Sequence, residues 1–523
     1  MVRIRSAGAS NLAAVRRVAI SAASRPGATA GAAVADAGGN AVDAAIAATV
    51  TGMVSDPGII GPGAGCFITV WPEAGDPVVI DANAVMPGLG KAEAPRSFGD
   101  RVRMEYGGGM DTLVGPCSVA VPGAWAGLGR AADRFGAVGW HTIMGPAISL
   151  AAGGFPFSGV SEAYLSYAHD PIYDRYPDSV SALHHPDGSR MAEGDTVLIV
   201  GLADSLRTIA DEGPGSFYTG SIGQRLVAAM GEWGGHITAE DLASYQAVER
   251  QPISIDLNGW RIVTNPAPAI GGAVLASMLL LSHPGGFVEW SAAGAKALAE
   301  IQRSVLAYRA TSLDVTSDVD GAVADLLERA RLGDHRGLMS SPSTIHVSAV
   351  DTGGLACSVT TSAGYGSGVM IPGTGLWLNN SLGEVELFPE GMERFAPGDR
   401  LASNMAPTIA GGPNGAVMAV GSPGASRITT ALAQVLTNFI SLEMSVSEAV
   451  QHPRLHVEVF NGEPTIAHEP GIELEAFDDF RLRRFPDLSM YFGGVGLAMY
   501  DPDAGLYQVA DSRRTGATAV GGL

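Results

Sequence analysis

The stretch "SPSTIHVSAVD", residues 341–351, divides the chain into two styles. Side chains alternate across an extended strand, so Thr344, His346 and Ser348 share one face and Ile345, Val347 and Ala349 the other. Upstream, helical patterns dominate. "GGNAVDAAIAATVTGMV" predicts a tightly packed interior helix capped by Asn40, and "PGAWAGLGRAADRFG" a second helix. "HITAEDLASY" starts with Thr238 and Asp241 at capping-box spacing, and "SAAGAKALAEIQRSVLAYRATS" is a long amphipathic helix. Residues 312–343 are the most polar stretch and end in a Ser-Ser-Pro-Ser breaker. Downstream, short strands are expected at 344–350, 355–362, 375–379 and 415–420. One late helix follows "GSPGAS", with Ile428, Ala431, Leu432, Val435 and Phe439 on a single face. Helices first and strands later imply sheets covered by helices, an α+β layered architecture. No internal repeat is visible.

At 523 residues the chain exceeds the usual single-core limit of roughly 250–300 residues, so two lobes or one elaborate layered domain are expected. It is 46% apolar, enough for a large core, and only 16% charged. A net charge of −21 repels phosphate backbones and anionic lipid, which argues against nucleic-acid and membrane partners. Cys66, Cys117 and Cys357 are odd in number and scattered, so no disulfide framework or zinc pattern follows. Arg16 and Arg17 interrupt any signal-like apolar run near the N-terminus, and "GGAVLASMLLLS" is too short to span a bilayer. These features read as a soluble cytoplasmic protein. The pair His184-His185 in "LHHPDG" reads as a turn without a ligand set, so neither metal nor cofactor is expected.

Three features can carry chemistry. A threonine at a strand start becomes a nucleophile if the Ser343–Thr344 bond is cut, because the freed α-amine can then act as base for its own Oγ. In "GSPGASRITTALAQVL", Ser422 suits a helix N-cap and Pro423 the first helical position. The N–H groups of Gly424 and Ala425 would then be left to stabilise an oxyanion. Third, "ACSVTTS" puts Ala356, Ser358, Thr360 and Ser362 on one face, which could meet Thr344 if this strand pairs with 344–350.

The segments "GGNAVDAA", "PGAWAG", "HITAEDLASYQAVERQPIS", "PAPAIGG", "STIHVSAVD", "WLNNS", "SNMAPTI" and "GSPGASRI" occur in an order and spacing that resembles the γ-glutamyltranspeptidases, from about Ser24 to Arg513. The resemblance implies an N-terminal-nucleophile hydrolase with a four-layer αββα sandwich. It implies a precursor cleaved into subunits 1–343 and 344–523 that stay together as a heterodimer, further dimerisation being left open. It also implies residue roles: Thr344 as nucleophile, Ser362 as the supporting hydroxyl, Gly424 and Ala425 as the oxyanion donors, Ser403 and Asn404 as contacts to the substrate carboxylate.

The departures from the family pattern fall in the head-group pocket. Where the family has the arginine that clamps the γ-glutamyl α-carboxylate, this chain reads "DANA", with Asn83 in the arginine's place. The family's asparagine near the supporting hydroxyl becomes Gly364. Its glutamine becomes Ser381, and the acidic residue that holds the ammonium becomes Glu384. A bidentate arginine–carboxylate contact is strong and geometric, and neutral asparagine cannot replace it. Arg400 and Arg427 remain as other cations that could reach a carboxylate. The expected activity is hydrolysis of an amide of small-molecule size whose acyl group is not γ-glutamyl. A genuine γ-glutamyl transferase or glutathione hydrolase, and a non-catalytic binding protein on the same fold, stand as alternatives.

Overall fold

The computed structural model describes residues 16–91, 96–105, 109–283, 287, 289–332, 344–424, 427–460, 463–474 and 480–522. Two antiparallel sheets form its centre. The first has seven strands in the spatial order Ala517–Gly521, Val18–Ala22, Ile345–Asp351, Ala356–Ser362, Gly65–Trp71, Val78–Ala82 and Val248–Arg250. The second has six, in the order Gly505–Ala510, Gly496–Asp501, Val417–Gly421, Thr408–Gly411, Trp260–Thr264 and Ile253–Leu257.

Period-two alternation assigns the two faces of each sheet to different layers. In the first sheet Ile20, Ile345, Val347, Val359 and Ile68 join one core with the helices Arg25–Asp36 and Ala41–Ser55. In the second, Ile262, Met418, Val420 and Leu497 pack with Gly271–Ser282 and Arg427–Ile440. The facing sides meet in a thin middle layer of Ala19, Val350 and Ala356 against Val263, Ile409, Val417, Ala419 and Ala498. The result is helix, sheet, sheet, helix: the expected αββα sandwich.

The middle layer also holds the polar face of the Ile345–Asp351 strand. Its hydroxyls are satisfied across the gap: Ser348 Oγ donates to Gly496 O at 3.1 Å, Ser358 Oγ to Val420 O at 3.0 Å and Thr69 Oγ1 to Pro407 O at 2.8 Å. Buried hydroxyls without such partners would cost about 1–3 kcal/mol each. A face that looks solvent-ready in the sequence is therefore interior.

Helix Ala41–Ser55 is buried along its whole length. Asn40 Oδ1 accepts from Val42 N and Asp43 N, while Asp43 returns a carboxylate to Asn40 N at 2.9 Å. Thr238 and Asp241 close the expected capping box as well. The expected strand at 375–379 shortens to Leu376–Trp377. Strands Gly65–Trp71 and Val78–Ala82 lie in the region read as helical. Covered on both faces, they run nearly apolar throughout and show no alternation to read. Among the described residues no helix is long and apolar enough to cross a membrane.

Candidate active site

Thr344 stands immediately before the Ile345–Asp351 strand, at the middle of the first sheet. Its antiparallel neighbour pairs Ile345 with Thr361 and His346 with Thr360, so the next step in register brings Thr344 alongside Ser362. Both line one pocket together with Asn83, Ser381, Glu384, Leu387, Leu401, Ala402, Ser403, Asn404 and Met405. Seven positions named from the sequence thus converge from distant parts of the chain. Thr344 also borders a second crevice beside Ser21, Asp56, Pro423 and Gly494.

The floor beneath Thr344 is rigid. His346 Nδ1 lies 2.9 Å from Thr360 Oγ1 and its Nε2 2.7 Å from Ser348 Oγ. Burial pushes its pKa down to about 3, so the ring is neutral and serves as a hydrogen-bonding spacer. Ser362 Oγ accepts from Gly364 N at 3.1 Å, which ties it to the following turn. Gly364 itself adopts φ +61, and a Cβ there would stand 2.3 Å from Asn380 Oδ1. The turn can therefore pass this close only with glycine.

Asn83 lines the pocket as expected, with one side of its amide and its backbone carbonyl anchored. Its Nδ2 donates to Leu401 O at 2.8 Å, and its carbonyl accepts from Tyr245 Oη at 2.7 Å and Arg400 Nη1 at 2.8 Å. Arg400 also donates to Tyr245 Oη at 2.6 Å and lies 3.6 Å from the buried Asp81. Arg427 donates through Nε to Tyr491 O at 3.1 Å and stacks over the Tyr491 ring at 4.6 Å. Neither of these arginines lines the pocket, and no described residue of its lining is lysine or arginine.

Sequence reasoning missed Arg309. At 2% exposed it shares its Nε–H between both oxygens of Asp314, 3.1 Å to each, and donates through Nη1 to Asn404 Oδ1 at 2.6 Å. Arginine only donates, so the carbonyl side of the Asn404 amide must face it and the NH₂ side remains as a donor. Nothing in the sequence marks Arg309, since it follows a long helix like any surface arginine.

Glu384 lines the pocket, and Glu386, partly exposed like it, lies close beside it. Burial, and then the neighbouring Glu386 charge, raise Glu384 well above the usual carboxylate range. Burial pushes Glu386 up to about 7, against the lowering effect of the Tyr365 hydroxyl, which donates to it at 2.6 Å, and of Arg309 and Arg427. The upward shift favours the neutral carboxyl of Glu384, the form that can donate a hydrogen bond.

Among the described residues the late helix runs from Arg427, just after "GSPGAS" as expected. Gly424 at φ +125 takes the chain out of helical geometry, so Ser422 is not an N-cap and Pro423 not a first helical residue. Ser422 Oγ donates to Pro423 O at 2.7 Å and accepts from Gly494 N at 3.1 Å. Ala425 and Ser343 lie outside the described residues. His184 is in a turn as expected, bridged to Arg190.

The fold and the threonine-headed central strand place the chain among the N-terminal-nucleophile hydrolases. The family model described as gamma-glutamyltranspeptidase matches residues 27–521, and the chain belongs to that family. It is 32% identical to the acylase ACY 1 proenzyme of Pseudomonas sp. (strain SE83), over 94% of this chain and 92% of that one. It is also 32% identical to the glutathione hydrolase proenzyme of Pseudomonas aeruginosa, over 84% and 82%. The crystal structure of cephalosporin acylase from Bacillus halodurans shares the fold, with a TM-score of 0.76 and 23% identity over 97% of this chain and 96% of that one. The chain is accordingly an amidohydrolase or acyltransferase of this class rather than a scaffold.

Proposed function

We propose that the chain cleaves itself between Ser343 and Thr344 and then hydrolyses an amide whose acyl group lacks the γ-glutamyl head. The freed α-amine, with a typical pKa of about 7.7–8.0, takes the Thr344 Oγ proton as Oγ attacks the amide carbonyl. The N–H groups of Gly424 and Ala425 are the donors assigned to the oxyanion. Collapse expels the amine, which takes the proton from the α-ammonium, and leaves a threonyl ester. Water, deprotonated by the same amine, attacks the ester and returns the free acid. Ser362 orients the Thr344 hydroxyl.

The observation that carries the substrate assignment is the pocket lining. It offers the Asn404 amide, the Ser403 hydroxyl and a Glu384 carboxyl whose raised pKa favours the neutral form, and no described cation. Neutral donors suit an acyl chain with a carboxyl or amide end and no α-amino group. An α-amino-acid head would need both a cation and an anion. The name of the Pseudomonas SE83 relative, an acylase, accords with this; that of the Pseudomonas aeruginosa relative favours glutathione hydrolysis as the second reading.

Intact mass spectrometry should show fragments 1–343 and 344–523, with Thr344→Ala remaining whole. Anilides of desamino acyl chains should then exceed γ-glutamyl-p-nitroanilide in kcat/KM, and Asn83→Arg should narrow that gap. Efficient γ-glutamyl turnover that Asn83→Arg leaves unchanged selects the second reading. An uncut yet active wild type removes Thr344 as nucleophile.

A further inference from the structure

We infer that His169, His184 and Asp174 form a binding site for a divalent transition-metal ion of zinc type, remote from the acyl pocket. The three residues come from a compact knot. Helix Gly159–Ala168 runs into a π-turn at His169–Tyr173, closed by Asp174 N donating to His169 O at 2.9 Å. Helix Pro177–Leu183 then returns the chain to His184. One ligand atom from each of His169, Asp174 and His184 lies within 4.8 Å of the other two. The two imidazoles meet edge to face at 4.9 Å.

The tautomers follow from the partners. His184 Nδ1 is 3.0 Å from Val180 O, and a carbonyl only accepts, so Nδ1 carries the hydrogen and Nε2 the lone pair. His169 Nδ1 is 3.0 Å from Asp170 Oδ1, a carboxylate, so its Nε2 is likewise a lone pair. That arrangement, a ring oriented by a carbonyl or carboxylate behind it, is how metal-ligating histidines are held. His169 is 3% exposed, and its Nε2 has no hydrogen-bond partner among the described residues. A cation held also by Asp174 would satisfy that lone pair. Arg190, the nearby cation, is already paired with Asp170.

Two imidazoles and one carboxylate are a borderline donor set that suits zinc and leaves a fourth position for water. Zinc–ligand bonds of about 2.0–2.2 Å put tetrahedral ligand atoms roughly 3.4 Å apart. The gap closes by side-chain rotation, with exposed Asp174 as the movable arm. The ion would pin a segment that braces the active-site wall. Tyr164 Oη donates to Tyr365 O at 2.7 Å and Ser179 Oγ to Gly368 O at 2.6 Å, both in the loop after Ser362.

The test uses untagged full chain, stripped with EDTA and titrated with zinc chloride. Bound zinc is counted by mass spectrometry of the gel-filtered protein, and affinity is read by calorimetry. One zinc per chain is expected, with a higher Tm. His184→Gln and Asp174→Asn should each weaken binding about 10²-fold and abolish the Tm rise. His185→Gln should change neither, since its Nε2 pairs with Asp195 at 2.9 Å. Asp174→Asn alters an exposed side chain and carries the test if His184→Gln misfolds. No saturable uptake by the wild type, or uptake that Asp174→Asn leaves intact, overturns the site.

Discussion

Thr344 sits one residue beyond the last pair of its ladder, Ile345 with Thr361, whereas Ser362 is still paired on its other side with Gly65. The Gly364 N–H contact adds a further restraint on Ser362. Ser362→Ala should lower kcat by about 10²-fold with little change in KM, since positioning a proton acts on the transition state; steady-state kinetics on the mature enzyme measures it. Glu386 yields a pH prediction with a definite sign. Its folded pKa, about 7, lies above the ordinary 4.5, so the folded state binds more protons between those values. Stability must then fall as pH rises through that window and level off above it. Glu386→Gln should flatten the fall, as thermal melts from pH 4 to 8 would record. At this scale the nucleophile candidate was readable because its alternating strand begins straight after a breaker. Arg309 was not readable: its role depends on Asn404, 95 positions away in sequence.

The Ile345–Asp351 strand depends on the strand facing it across the sandwich. His346 enters the middle layer only because Gly421 and Gly496 lie opposite. A Cβ at Gly421 would stand 2.2 Å from the His346 ring, which is held between Thr360 and Ser348 and cannot yield. Gly421→Ala should therefore destabilise by about 1–3 kcal/mol or more and slow maturation. Urea unfolding of the Thr344→Ala precursor with and without it separates stability from cleavage. Capped helices were legible because a cap is local chemistry, as Asn40 with Asp43 and Thr238 with Asp241 show. Ser422 and Pro423 were misread as the cap and first turn of the late helix because the preference of Ser-Pro for a helix start is local too. The φ of Gly424 is set by its close approach to Gly493, with a built Cβ 3.0 Å from Gly493 Cα.

Across the whole molecule, the 343/344 boundary does not separate two folded bodies. Strand Ile345–Asp351 pairs with Val18–Ala22, Ala356–Ser362 with Gly65–Trp71, and Thr408–Gly411 with Trp260–Thr264. Val18–Ala22 pairs on its other side with Ala517–Gly521, so each half alone would expose four strand edges among the described residues. Residues 344–523 expressed by themselves should be unfolded or aggregated, and the two halves should copurify after cleavage. Circular dichroism and gel filtration of the separate and combined fragments test this. By itself the sequence determined the α+β class, the capped helices and the strand that follows Thr344. All of these rest on neighbours within a few residues or on recurrent motifs. Only the tertiary structure decided that the polar face of that strand is interior, that Arg400 and Arg427 do not line the pocket, and that the Glu384 carboxyl is pushed towards its neutral form. Burial and charge at a position are set by whichever segments the fold brings beside it, and those lie scores to hundreds of residues away.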